Sequence, residues 1–81
     1  MNLVLTERFD RRLRQAPAAV QRAFWKQGGF LLSNSSHPSL RAKKYAGAGD
    51  VWQARVNSGW QFYFRIAGGK YYLVDITAHP K

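Results

Sequence analysis

From Trp52 to Ile76 the apolar residues fall on every second position, and two glycine-bearing turn sequences interrupt the pattern. A repeat of two is the signature of a strand with one buried face. Trp52, Ala54 and Val56 alternate with Gln53, Arg55 and Asn57, and Asn57-Ser58-Gly59 reads as a hairpin turn. Trp60, Phe62, Phe64 and Ile66 alternate with Gln61, Tyr63 and Arg65, and Gly68-Gly69 makes the next turn. Tyr72, Val74 and Ile76 then alternate with Tyr71, Leu73 and Asp75. Strands joined by turns this short pair antiparallel, so the segment is a three-stranded meander. One of its faces is apolar and needs a cover. The other carries Gln53, Arg55, Tyr63, Arg65 and Asp75, and an antiparallel sheet can leave such a face open to water or a ligand.

The cover comes from the first half, where the apolar repeat lengthens to that of a helix. Residues 3–5 read as a short strand that joins the edge of the meander. Thr6 is a natural N-cap, and Glu7 sits where a helix dipole favours an acid. Phe9 and Leu13 are four apart and share one face of a first helix over residues 7–15. Pro17 suits the first turn of a second helix, whose stripe is Val20, Ala23, Phe24, Gln27 and Leu31. Gly28-Gly29 weakens that helix near its end, and Asn34 to Pro38 read as a loop. The expectation is one α+β domain over residues 1–81: a short N-terminal strand, a two-helix hairpin, then the meander.

Charge narrows the function. Thirteen Lys and Arg face four Asp and Glu, a net charge of +9. Such an excess opposes folding through self-repulsion and attracts polyanions. Basic residues spread along the chain and mixed with aromatics favour a nucleic acid or an acidic protein over a membrane surface, which more often meets one long basic amphipathic helix. No apolar run is long enough to span a bilayer, and Met1 to Leu5 pass straight into charged residues, unlike a signal peptide. The absence of cysteine suits a reducing cytoplasm, the expected location. Neither paired carboxylates nor His clusters suggest a metal, and no cofactor is expected.

Several residues read two ways. Arg41, Lys43 and Lys44 precede the sheet in a basic loop and either bind phosphate or keep the loop soluble. Arg55 and Arg65 either hold a phosphate or pair across strands with Asp75. Tyr63 either stacks on a base or packs. His79 is either an acid–base group, suited to neutral pH, or part of a frayed end. Arg8, Arg11, Arg12 and Arg14 cover one side of the first helix as a solvated or partner-facing surface, and Trp25 lies off the helical stripe.

The order helix, helix, basic loop, meander resembles the RelE/ParE superfamily of toxins from type II toxin–antitoxin systems. The resemblance spans nearly the whole chain. It is carried by His37-Pro-Ser-Leu-Arg-Ala-Lys-Lys-Tyr45, Val51-Trp-Gln-Ala-Arg-Val-Asn57, Gly59-Trp-Gln-Phe-Tyr-Phe64 and Asp75-Ile-Thr-Ala-His-Pro-Lys81. It implies either an mRNA endoribonuclease that works on the ribosome without metal, or a ParE-like inhibitor of DNA gyrase, each silenced by a cognate antitoxin; the third reading is a decayed toxin that binds RNA without cutting it. In the nuclease reading, Lys44, Arg55, His79 and Lys81 match catalytic positions, and Arg41, Lys43, Tyr63 and Arg65 would hold RNA. Arg8, Arg12 and Trp25 would face the antitoxin. Two features depart from the nuclease pattern: Gln61 stands where an arginine is frequent, and Asn57 stands near an expected basic residue. The C-terminal helix of some members is also missing.

Overall fold

The computed structural model describes residues 1–45 and 49–79. Its elements run β1 (Asn2–Leu5), α1 (Glu7–Gln15), α2 (Ala18–Ser33), a 3-10 turn (Pro38–Leu40), β2 (Lys43–Lys44), β3 (Trp52–Asn57), β4 (Trp60–Ala67) and β5 (Lys70–Ala78). The five strands form one sheet in the order β1-β5-β4-β3-β2. β3, β4 and β5 are the antiparallel meander, and β1 joins its edge parallel to β5. The basic loop contributes what the sequence pattern did not show: Lys43 and Lys44 pair with Gln53 and Trp52 as a two-residue edge strand.

Local signals explain most boundaries. Thr6 caps α1, its hydroxyl accepting from the Phe9 N–H at 3.3 Å while donating to the Leu73 carbonyl at 2.7 Å. One side chain thus starts the helix and ties it to β5. Pro17 stands at the N-cap of α2, one residue outside the helix rather than within its first turn. Gly68 and Gly69, at φ 55° and 74°, make the β4–β5 turn in the left-handed region that glycine enters without cost.

Gly28 and Gly29 do not end α2, which continues to Ser33. A Cβ on Gly28 would lie 3.1 Å from Leu3 Cδ1, so the bare glycine lets the helix cross close over β1. The close crossing offsets the propensity cost of glycine in mid-helix, about 1 kcal/mol.

The core lies between α2, α1 and one sheet face. Phe9, Phe24, Leu31, Leu40, Phe62, Phe64, Leu73 and Ile76 are fully buried. Phe24 is its centre, 4.9 Å from Phe9 and 5.3 Å from Phe62 between ring centroids, the latter pair edge-to-face. Trp52 and Trp60, expected in the core, sit half-buried at its rim, and Ile66 runs past the helical cover and is 46% exposed.

β5 differs from the simple alternation. Tyr63 pairs with Asp75 but Phe64 pairs with Leu73, so Val74 is an extra residue in a bulge. The bulge shifts the phase. Tyr71 and Leu73 face the core before it, Ile76 after it, and Tyr72 and Val74 are only partly covered. A strict repeat of two would have put Tyr72, Val74 and Ile76 inward together.

The packing sets an expectation for α2. Phe24→Ala should cost about 3–5 kcal/mol in urea unfolding, whereas Trp25→Ala, at a side chain 52% exposed, should cost less than about 1 kcal/mol. Equal losses at the two positions would contradict the burial described.

Candidate functional site: a basic cleft on the open sheet face

Pairing across the sheet builds two rows of side chains on the face away from the helices. Lys43, Gln53, Tyr63 and Asp75 form one row. Arg55, Gln61 and Thr77 form the next. The end of this face hollows into a cleft of about 380 Å³ lined by Arg41, Lys43, Gln53, Arg55, Gln61 and His79, with Ala54, Asn57, Ser58 and Trp60.

Each basic residue arrives by a different route. Arg41 follows the 3-10 turn in the left-handed region at φ 47°, which redirects the chain into β2. Lys43 stands on the open face because it pairs with Gln53. Arg55 comes from β3 and is steadied by its own strand, its Nε donating to the Asn57 carbonyl at 3.1 Å. His79 follows β5, and its backbone N–H donates to the Gly59 carbonyl at 2.7 Å. That bond pins the backbone of a residue whose sequence position suggested fraying.

The cleft floor is an amide chain. Gln53 Nε2 donates to Gln61 Oε1 at 2.6 Å, and Gln61 Nε2 donates to Tyr63 Oη at 2.6 Å. Tyr63 also meets Tyr45 edge-on, 5.2 Å between ring centroids. Gln61, where the resemblance led one to look for arginine, therefore spans the floor and orients a tyrosine hydroxyl.

Among the described residues no carboxylate lines the cleft. Of the four acidic residues, Asp10 pairs with Arg14 at 3.0 Å, and Asp75 pairs with Arg12 at 3.4 Å and Arg8 at 4.0 Å. Asp75 was a possible partner for Arg55 or Arg65. Among the described residues its ion pairs go to α1 instead, so Arg55 keeps its charge directed at the cleft. Arg8 and Arg12 are thus both exposed and engaged with Asp75.

The structure brings together four residues singled out in the sequence, Arg41, Lys43, Arg55 and His79, and separates the rest. Lys44 pairs with Trp52 and lies on the other side of β2, its Nζ 5.8 Å from the Trp52 ring centroid. Of the two lysines, Lys43 lines the cleft and Lys44 does not. Arg65 pairs with Tyr72, two positions along β4 from Tyr63 and away from the cleft. Tyr63 adjoins the cleft through Gln61 rather than lining it. Trp25 is exposed on α2, its ring edge-on to Phe24. Lys81 lies outside the described residues.

One site residue escaped the sequence reading. Gln27 is buried between α2 and the sheet. Its Nε2 donates to the Arg55 carbonyl at 2.7 Å and the Ser39 carbonyl at 3.0 Å, and its Oε1 accepts from Ser39 Oγ at 3.0 Å. It fixes the backbone of Arg55 and of the turn that delivers Arg41. A polar residue inside an apolar stripe was the available signal.

No protein-family model and no curated protein sequence matches the chain. Solved structures do. The YoeB/ParE toxin from Agrobacterium tumefaciens superposes with a TM-score of 0.82 at 14% identity, over 99% of this chain and 100% of that one. The YoeB dimer from Staphylococcus aureus gives 0.81 at 8% identity, over 99% and 98%. The archaeal RelE–RelB complex from Pyrococcus horikoshii gives 0.77 at 15% identity, over 95% and 92%. The chain therefore has the fold of the RelE/ParE superfamily toxins, as the sequence resemblance led us to expect.

The Gln27 contacts make a measurable claim. Gln27→Leu removes the donor from two carbonyls and should destabilise the fold by about 2–6 kcal/mol, because each buried acceptor left unpaired costs about 1–3 kcal/mol. Gln53→Ala, in the open floor, should cost less than about 1 kcal/mol in the same thermal or urea unfolding measurement.

Proposed function

We propose that the protein is the toxin of a type II toxin–antitoxin pair and that it cleaves mRNA on the ribosome. The observation that carries this reading is the cleft itself: Arg41, Lys43, Arg55 and His79 converge on one open sheet face. A site of that composition suits a polyanion and repels other cations. The fold is that of solved chains named as toxins, some of them bound to RelB antitoxins.

The chemistry requires a 2′-oxygen to attack the neighbouring phosphorus while the P–O5′ bond breaks, leaving a 2′,3′-cyclic phosphate. A base takes the 2′-hydroxyl proton, cations stabilise the charged phosphorane, and an acid protonates the departing 5′-oxygen. Arg55, held through its Nε by the Asn57 carbonyl, is placed to stabilise the phosphorane with its terminal amines. Arg41 and Lys43 bind the flanking phosphates. His79, an imidazole at the cleft mouth, serves as the acid, and the Tyr63 hydroxyl held by Gln61 orients the sugar or base. An antitoxin with an acidic segment would engage Arg8 and Arg12 in competition with Asp75, and Trp25 on α2 offers an exposed aromatic contact.

Gln61 favours a second reading. An amide in the cleft floor weakens the positive field relative to an arginine there, and a site that only binds needs less charge than one that stabilises a phosphorane. That reading is a gyrase inhibitor without nuclease chemistry.

Induced expression separates the two. The nuclease reading expects growth arrest with translation collapsing first and mRNA cut on ribosomes; the gyrase reading expects trapped gyrase–DNA cleavage complexes with translation intact. In a ribosome cleavage assay Lys43→Ala, Arg55→Ala and His79→Ala should each slow cutting by more than about tenfold, and Lys44→Ala by less than about threefold. Unchanged cutting in the first three would remove these roles.

A further inference from the structure

We infer that the protein has a second RNA subsite, a nucleobase pocket on the opposite side of β2 from the cleft; the inference rests on the RNA-cleaving reading above. A second hollow of about 360 Å³ is lined by Ser36, His37, Arg41, Trp52, Phe64 and Ile66, with Ser35, Pro38 and Ala42. Its volume lies near the lower end of the ~300–1,000 Å³ that small-ligand sites occupy.

Three features identify the occupant. The first is an apolar floor at the end of the sheet. Ile66 is 46% exposed there, Trp52 is half-buried, and the Trp52 ring lies within 15° of parallel to Phe64. The wall opposite is flat and aromatic too, since the His37 ring stacks on Phe30 at 3.9 Å with 5° between planes. Such a slot accepts a planar group.

The second is polarity at the rim. Ser35 and Ser36 contribute hydroxyls, and two cations flank the slot: Arg41 lines it, and Lys44 stands 5.8 Å from the Trp52 ring centroid. A planar group carrying an anion fits this combination of charge and flat apolar surface better than an apolar peptide does.

The third is continuity. Arg41 lines both hollows. Its left-handed conformation puts it at the edge between them, where one guanidinium can bridge consecutive phosphates. A single strand whose scissile phosphate sits in the cleft can cross that edge at Arg41 and place an unstacked base in the second hollow. Lys44, left outside the cleft, then acquires a role in holding the strand.

The test uses the ¹⁵N-labelled full chain and oligouridines of three and seven nucleotides, read by affinity and by the Trp52 indole N–H signal. The seven-mer is expected to shift that signal and to bind about fivefold or more tightly than the three-mer, within the range of one stacked base. Ile66→Glu and Lys44→Glu, both at exposed positions, should abolish the gain with length and leave three-mer affinity within about twofold, while Arg55→Ala weakens both lengths. If the seven-mer binds and yet neither moves the Trp52 signal nor responds to Ile66→Glu and Lys44→Glu, the second subsite is overturned and the cleft reading stands. If neither length binds the unaltered protein, both fall together.

Discussion

The amide of Gln27 is the joint between the helical layer and the sheet. Three hydrogen bonds leave one buried side chain, two of them to backbone carbonyls on separate segments. Hydrophobic packing around Phe24 sets the distance between α2 and the sheet, but it is not directional and does not fix how β3 slides beneath the helix. The amide does. It accepts from the Ser39 hydroxyl and donates to the carbonyls of Ser39 and Arg55, so register and turn position are set together. Arg41 and Arg55 approach the cleft from two segments, and their common reference is a buried residue that does not line the cleft.

The charge distribution follows from the same economy. A chain with thirteen cations and four acids cannot neutralise itself. The acids are spent away from the cleft, Asp75 on Arg8 and Arg12, and Asp10 on Arg14. These are largely exposed pairs that add little stability. Their effect is one of placement: they hold positive charge on α1 in check and, among the described residues, leave Arg41, Lys43 and Arg55 without an ion pair. The repulsion concentrated there is offset by a core rich in phenylalanine.

Most of the fold was legible in the sequence because its signals were local. The repeat of two from Trp52 onward, the Gly68-Gly69 turn, and the Phe9–Leu13 and Val20–Leu31 stripes each reflect neighbours in the chain. What the pattern missed depended on distant contacts. The Val74 bulge shows only in the pairing of β4 with β5. Gly28 reads as a helix breaker until Leu3 is seen against it. The two lysines of the basic loop look equivalent until β2 pairs with β3 and sends Lys43 to the open face and Lys44 to the other. The site was half legible for the same reason: cations could be counted, but which of them share a face is decided by register.

The parallel pairing of β1 with β5 imposes an order on assembly. Thr6 and Leu73, joined at the start of α1, are 67 residues apart in the chain. Among the described strands β1 pairs with β5 alone. The cap of α1, the Asp75 clamp on Arg8 and Arg12, and the His79 wall of the cleft all belong to the same late-arriving segment. A chain emerging from the ribosome therefore carries both helices and most of its cations long before it has a finished site. The closing contacts span nearly the whole sequence, and long-range closure of this kind is slow. Maturation is thus built into topology: translation must run through residue 79 before the cleft exists.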